Sequence, residues 1–395
     1  MSEQFELVRG RSAGYWLLLA ALTVLAAIGL AAAHYMESQG HHVTGMNNQV
    51  VWGIPHVFAV FLIVSASGLL NVASMASVFH QPLYKPLARL SSLLCIMFLL
   101  GGLVILVLDL GRPERLIVAM THYNLKSIFA WNIFLYVGFV LIVASYLVTM
   151  FEHNLARYSG AVGMLAMLWR IVLTTGTGSI FGFLIARQAY DAAIMAPLFI
   201  LMSLAFGTAI FVLFLWGVLR LCEREIESVI VQRLGRLLAI FVAATLYLTL
   251  TYHVTNLYAS EHHGVERFVL LEGGLYTQLF WIGQVAVGGV IPLLLLWRCL
   301  TNGKSRTVVA ASLLVVVGGL AQVYVIIIGG QAYPLVMFPG SDVSSGFFDG
   351  EVGSYVPSVL EFALGLGGAA FALLLSLFAM RILPFLHSAR SVAHR

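Results

Sequence analysis

Ionisable and amide side chains in this sequence collect at the ends of long apolar segments. Asp109 ends one such segment, and His56 lies about five residues into another. Imidazole and amide groups donate hydrogen bonds to carbonyl oxygens, and imidazole and carboxylate groups take up or release protons. Because ionisable groups at a membrane boundary are costly and often functional, this pattern predicts acid–base chemistry on a small molecule. The candidate residues are His56, Asp109, Arg112, His122, Ser127, His253, Asn256 and Glu361.

Each candidate also has a structural interpretation, and both remain open from the sequence. A histidine at a helix end is more often a hydrogen-bonded interfacial residue than a ligand. Asp109 could instead form a salt bridge with Arg112 or Lys126 that holds the helix end. The set is more informative than its members, because five or six helices contribute to it at one end. Within it, His253 and Asn256 are three residues apart and share a helix face.

The composition predicts a polytopic membrane protein. The 395 residues are 61% hydrophobic and 10% charged, and the mean hydropathy is +0.96. This leaves too little charge to cover the surface of a soluble domain. The net charge of +4 is spread over short loops. It therefore indicates contact with membrane lipid and gives no sign of a nucleic-acid partner.

Ten apolar segments are long enough to cross a bilayer as helices. We predict an all-α integral membrane protein with ten transmembrane helices. The first segment is expected to be retained as a helix rather than removed as a signal peptide, because its apolar run is too long. The predicted spans are about 14–33, 51–78, 89–109, 127–150, 161–185, 195–219, 236–258, 276–298, 307–328 and 356–380.

The distribution of basic residues predicts that both termini are cytoplasmic. Fifteen of the 21 lysines and arginines fall on the side of the N-terminus, one lies within a span, and five lie in the opposite loops. The three cysteines show neither a CxxC motif nor a Cys/His cluster with metal spacing. The sequence therefore predicts no metal site, and any electrons that the chain exchanges would need the cofactors of partner subunits.

With this topology the candidate residues lie at the outer side of the membrane, where they suit a quinone. A quinone has two carbonyl groups that need donors, and its redox chemistry takes up or releases two protons. Its isoprenoid tail needs an apolar opening between helices. We predict that His56 is the hydrogen-bond partner of the quinone and that Asp109 accepts the proton, restrained by Arg112.

A series of short motifs runs in order along the chain. The motifs are VWGIPH (51–56), YKPLAR (84–89), LDLGR (108–112), NLKS (124–127), APLF (196–199), FWI (280–282), YVPSVLE (355–361) and RILP (381–384). Together they resemble the NrfD-like membrane subunits of respiratory complexes, a family that includes the polysulfide reductase anchor. Within the family, the ten-helix form is most similar to the membrane subunit of a sulfur-metabolism complex.

The resemblance implies two four-helix bundles, about 51–185 and 195–328, with one flanking helix at each end. The corresponding domain boundaries are 1–50, 51–190, 191–330 and 331–395. It also implies site residues at the opening of the first bundle helix and beside the loop between its third and fourth helices. These residues are Trp52, His56, Asp109 and Ser127.

The resemblance further implies a quinone/quinol-reactive subunit of a respiratory oxidoreductase in a bacterial inner membrane. The quinone would be menaquinone or ubiquinone, and this chain would hold no haem or iron–sulfur cluster. The implied partners are a periplasmic ferredoxin-like iron–sulfur subunit and other membrane and haem subunits. One departure is that hydrogenase-type members carry glutamates in two helices, where this chain has Trp131 and Asn256, so their proton route is not implied here.

Loop 329–355 is long, has no lysine or arginine, and contains Asp342, Asp349 and Glu351. It is either a solvated connector or a surface that docks the periplasmic subunit. Two other functions also remain open. A cytochrome b-type haem anchor would need histidines that face each other within helices, and a secondary transporter would need broken helices near the midplane.

Overall fold

The chain is an all-α multi-pass membrane protein. The computed structural model describes residues 5–8, 10, 12–224, 227–302, 305–335 and 350–387, with the backbone alone for 299–302. Within these residues, ten helices are long and apolar enough to cross a membrane, as predicted. They are α1 (Ala13–Gln39), α2 (Ile54–Ser77), α3 (Pro82–Leu108), α4 (Ile128–Phe151), α5 (His153–Ile180), α6 (Met195–Leu221), α7 (Ser228–Tyr258), α8 (Leu275–Arg298), α9 (Ser305–Ala332) and α10 (Val359–Ile382).

Several of these helices change their hydrogen-bonding pattern along their length. The helix α2 has a break at Leu70, and π-helical segments interrupt α8 and α9, a feature that often marks functional sites. The π-helical segments are Phe268–Glu272, Leu279–Val290 and Val325–Gly329. The short helical elements of the connections are His41–Val43, Pro113–Arg115, Leu116–Thr121, Gln188–Tyr190, Ser260–His262 and His263–Arg267.

Helices α2 and α6 form the centre of the molecule. Helix α2 packs against α3 on one side and α6 on the other, while α6 also packs against α7 and α9. Glycines allow the close crossing of α2 and α6, because a Cβ atom at Gly68 would overlap the carbonyl oxygen of Ser203. Helix α1 packs along α10, which in turn packs on α2 and α3. The division into two four-helix bundles remains a prediction.

The two ends of the described chain meet at one end of the helices. Strand β1 (Phe5–Glu6) pairs antiparallel with β2 (Leu386–His387). Arg224, which follows α6, forms an ion pair with Glu6 at 2.7 Å and donates a hydrogen bond to the carbonyl of His387. We call this the inner end of the molecule and the opposite one the outer end. The placement of the inner end in the cytoplasm remains a prediction.

The outer end carries the connections in which the sequence analysis predicted functional residues. Helix α9 extends to Ala332, so the long loop begins later than predicted. Asp342 and Asp349 lie outside the described residues. Just after them, the segment that leads to α10 binds the connection between α1 and α2 and the end of α9. Asn47 donates a hydrogen bond to the carbonyl of Ser354, and Gly353 donates one to the carbonyl of Ala332.

Candidate functional site

A buried acid–histidine pair lies at the outer end of α2 and α3. Asp109 is the C-cap residue of α3, and only 1% of its side chain is exposed. His56 lies in the first turn of α2, and its Nδ1 atom is 2.8 Å from Oδ2 of Asp109. This is ion-pair distance, although the imidazole N–H is not aligned for a hydrogen bond.

The pairing of Asp109 differs from the sequence-based alternatives. Arg112 and Lys126 are both exposed, and within the described residues neither forms an ion pair with Asp109. The predicted restraint by Arg112, and the alternative salt bridge with either cation, were therefore wrong. The reason is local geometry: α3 ends at Leu108, so Arg112 lies beyond the helix and not one turn further along it.

A second histidine, which the sequence analysis missed, approaches Asp109 from the solvent side. His41 lies in the short turn between α1 and α2, and its Nε2 atom is 3.1 Å from the backbone carbonyl oxygen of Asp109. The same atom is 3.9 Å from Oδ1 of the carboxylate. Its position after α1 places it at the same membrane face as His56, and this signal was available in the predicted topology.

An apolar cleft of about 470 Å³ opens beside His56, with walls from α2, α3, α4 and α5. Its volume is within the range of small-molecule sites. The wall residues Leu110, Phe129 and Val137 are also exposed on the outer surface of the helices, so the cleft is open towards the lipid. Further apolar lining comes from Val60, Ile63, Leu103, Leu106, Val107, Ile133 and Ile180.

Aromatic residues form the outer wall of the cleft. The Trp52 ring stacks on the imidazole of His56 with 6.0 Å between centroids and on the ring of Tyr190 at 6.3 Å. Its edge contacts Phe129 and Phe181. Trp52 therefore lies beside the acid–histidine pair, and its role as a site residue stays a prediction.

The backbone of Trp52 is held by a glutamine from a distant helix. Gln331 in α9 accepts hydrogen bonds from the backbone N–H groups of Val51 and Trp52, and its amide nitrogen donates to the carbonyl of Trp52 at 3.0 Å. Arg187 donates to the carbonyls of Gln331 and Gln49. These contacts fix the segment before α2, and the sequence analysis identified neither Gln331 nor Arg187 in this role.

A few polar groups line the deeper part of the cleft. Asn132 in α4 donates to the carbonyls of Ile128 and Gly176 at 2.9 and 3.1 Å. The hydroxyl of Thr177 donates to the Asn132 side chain and lies 3.4 Å from the hydroxyl of Tyr136. The amide is therefore used within the protein, while the tyrosine hydroxyl has capacity for a further hydrogen bond.

Comparison with known proteins decides the family. The family described as "Polysulphide reductase, NrfD" matches residues 42–334. The chain belongs to the NrfD family. It is 26% identical to an Hdr-like menaquinol oxidoreductase integral membrane subunit from Archaeoglobus fulgidus, over 97% of this chain and 96% of that protein.

Two further relatives of similar length extend the comparison. Identity to a selenate reductase subunit of Mesobacillus selenatarsenatis is 23%, over 94% of each chain. Identity to a putative dimethyl sulfoxide reductase membrane subunit from Halobacterium salinarum is 27%, over 95% of this chain and 93% of that protein. As an NrfD-family protein, the chain is thus related to membrane subunits of oxidoreductase complexes.

Two candidate residues of this NrfD-family chain lie at the outer end but outside the cleft. Ser127 precedes α4 as its N-cap residue, without a side-chain capping bond, and it does not line the cleft. His122 is exposed and hydrogen-bonds the neighbouring Thr121 at 3.0 Å. Neither residue contacts the acid–histidine pair.

The predicted face of His253 and Asn256 belongs to a separate polar cluster. His253 Nδ1 is 2.7 Å from Oε2 of Glu266, and Asn256 donates to Oε1 of the same carboxylate at 2.8 Å. The whole of Glu266 is inaccessible to solvent. None of the three lines the His56 cleft, so the expected convergence of both groups on one site was wrong. Glu266 escaped the sequence analysis because it lies in a connection rich in charge.

The contacts of Glu361 are those of a residue with a structural role. It forms a capping box with Ser358 at the start of α10, and its two oxygens also accept from the backbone N–H of Gly45 and the hydroxyl of Tyr355. That hydroxyl also accepts from the backbone N–H of Ile54, at the first residue of α2. Burial, followed by the hydrogen bond to Glu361 and its charge, raises the pKa of Tyr355, so the phenol stays protonated.

In the part of the chain that the structure describes, no three His, Cys, Asp or Glu side chains converge in a geometry that could hold a metal ion. Two buried carboxylates of the outer end each lie beside a histidine. The contact of His56 with Asp109 borders an apolar cleft, and that of His253 with Glu266 is enclosed between helices.

Proposed function

We propose that this chain is the quinone-reactive membrane subunit of a multi-subunit respiratory oxidoreductase. The observation that carries the proposal is the His56–Asp109 pair at the outer end of an apolar cleft of about 470 Å³. A ligand that fits this lining is largely apolar and has few polar atoms. A quinone has this composition, since its ring and tail carry two carbonyl oxygens.

The residues of the cleft would act as follows. A bound quinone supplies the two-electron, two-proton redox chemistry. Because Nδ1 of His56 faces Asp109, Nε2 is the atom left to donate to a carbonyl oxygen. Asp109 orients the imidazole and holds a proton. The apolar walls exclude water, and the opening by Val137 lets the tail leave towards lipid.

We further propose that the chain exchanges electrons with a periplasmic ferredoxin-like iron–sulfur subunit at its outer end, beside other membrane and haem subunits. The support is that the names of the relatives describe subunits of larger enzymes. The family description contains polysulphide reductase, which favours sulfur metabolism. One relative is named for menaquinol, so menaquinone is the first quinone to test, with ubiquinone as the alternative. The proposed location is a bacterial inner membrane.

A binding assay tests the proposal directly. Titration of the purified protein with the fluorescent quinol analogue 2-heptyl-4-hydroxyquinoline N-oxide is expected to quench its fluorescence stoichiometrically. Ile133→Trp fills the cleft and is expected to abolish quenching. Leu141→Trp, on the exposed face of the same helix, is the matched control and is expected to bind normally. Equal binding by both variants would place the quinone site elsewhere.

A further inference from the structure

We propose that His41 passes protons between Asp109 and the solution at the outer end, and so completes a relay from the cleft through His56. This inference rests on the proposed function, because it assigns a route to the protons of quinone chemistry. It concerns a residue that lies one position before the family match, which begins at residue 42.

The exposure of the three side chains gives the relay its order. Only 1% of the Asp109 side chain is exposed, so its carboxylate cannot exchange protons with bulk water directly. His56 is 23% exposed and borders the cleft, whereas His41 is 28% exposed and lies in the turn after α1. Asp109 therefore separates one imidazole on the ligand side from another on the solvent side.

The two carboxylate oxygens of Asp109 face different histidines. Oδ2 is 2.8 Å from Nδ1 of His56, and Oδ1 is 3.9 Å from Nε2 of His41. Both oxygens are buried and lack an aligned hydrogen-bond donor within the described residues. Buried polar atoms of this kind are normally satisfied by a hydrogen-bond partner, and Oδ1 lies within ion-pair distance of Nε2 of His41.

The proton transfers balance without any further reactant. During quinol oxidation, a hydroxyl proton passes to Nε2 of His56, and the Nδ1 proton passes to Asp109. The Asp109 proton then moves to Nε2 of His41, in the tautomer in which this nitrogen carries no proton, and Nδ1 of His41 releases its own proton to solution. Two protons leave in succession while two electrons pass to the iron–sulfur partner. During quinone reduction the same three groups carry protons inwards.

Other charged groups nearby do not offer the same route. Glu361 of α10 is fully buried and is already bonded to Gly45, Tyr355 and Ser358. Arg112 offers hydrogen-bond donors but no acceptor, and it is exposed beyond the end of α3. His42 is exposed, but no contact in the described residues joins it to Asp109.

The test compares three variants of the purified complex that contains this chain, with a soluble menaquinol analogue as donor and ferricyanide as acceptor. His41→Ala is expected to lower turnover by about 10²-fold, the low end of losses of an acid–base group. His41→Gln keeps a donor for the Asp109 carbonyl but cannot relay protons, so it is expected to be equally slow. His42→Ala is the matched control and is expected to turn over normally.

Added imidazole separates a proton relay from a structural role. Because His41 is partly exposed, imidazole at millimolar concentration is expected to restore turnover in His41→Ala. Normal turnover in His41→Ala, or full recovery in His41→Gln, would overturn the relay while leaving the quinone site intact. Absence of quinol oxidation by the wild-type complex would instead overturn the proposed function itself. Loss of binding of the quinol analogue in His41→Ala would overturn the relay in favour of a structural role.

Discussion

At the residue scale, the environment of Asp109 distinguishes between two roles for this residue, which are proton transfer and holding the end of α3. The carboxylate is buried, contacts two histidines, and has no cationic arginine or lysine partner in the described residues. A residue that merely held the helix end would be expected to bind the backbone or a fixed cation. The observed partners are instead imidazoles, which can both donate and accept a proton.

We predict that His56→Ala and Asp109→Asn each lower quinol turnover per assembled complex by at least ~10²-fold, the usual scale for losing an acid–base group. Assembly is expected to be unaffected, because neither change creates a cavity in the helix-packing core. Turnover should be normalised to the assembled complex. Arg112→Gln is the control, since its side chain is exposed, and it is expected to behave like wild type. Reduced assembly with normal turnover in Asp109→Asn would support the structural interpretation.

The second buried pair makes a different prediction, which concerns stability. His253→Leu leaves the carboxylate of Glu266 without its ionic partner in an enclosed site. Removing one member of a buried pair typically costs about 3–5 kcal/mol, so the melting temperature in detergent is expected to fall clearly. His122→Leu, an exposed histidine at the same end, is the control. An unchanged melting temperature for His253→Leu would contradict this account.

At the element scale, the segment before α2 depends on contacts from the far half of the chain. The Gln331 side chain forms hydrogen bonds with both the backbone N–H and the carbonyl of Trp52, although 279 residues separate Gln331 from Trp52. Trp52 in turn packs on His56. The start of α2 is therefore placed by α9 as well as by its own sequence.

We predict that Gln331→Leu loosens the segment 50–53 and weakens binding of the quinol analogue. The change removes four hydrogen bonds of the Gln331 side chain, each worth about 0.5–1.5 kcal/mol. Hydrogen exchange of residues 50–53 is expected to rise, and the dissociation constant is expected to increase at least about tenfold, since about 1.4 kcal/mol corresponds to that factor. Gln278→Leu, exposed at the outer end of α8, should leave both unchanged.

At the scale of the whole molecule, the pairing of β1 with β2 brings both described ends of the chain to the inner end. Combined with the bias of basic residues, this predicts cytoplasmic termini. Reporter fusions after residue 395 and within loop 329–355 are expected to report opposite sides of the membrane. The same side for both would contradict the topology.

We also predict that the outer end docks an iron–sulfur subunit. A photo-crosslinker at Glu351, an exposed residue of the long loop, is expected to join this chain to that subunit in the intact complex. The same crosslinker at Arg306, at the start of α9 and hence at the inner end, is the control. Crosslinks from Glu351 to inner-side subunits alone would count against the docking surface.

The helices could be predicted from the sequence because crossing a bilayer is a local requirement. Each span needs about 20 consecutive apolar residues, so length and composition identify it without reference to its neighbours. Asp109 at the end of α3 and His56 at the start of α2 were identifiable for the same reason. An ionisable group beside an apolar run can be recognised in the sequence without knowledge of the tertiary structure.

Only the tertiary structure decided which of these groups meet. Asp109 contacts His41 across 68 residues and not Arg112, three residues away, because α3 ends before the arginine. His253 pairs with Glu266 and does not line the cleft. Hydropathy records the depth of a side chain in the membrane but not its direction around the helix axis relative to other helices. That direction depends on helix packing, such as the glycine crossing of α2 and α6, which distant parts of the chain determine together.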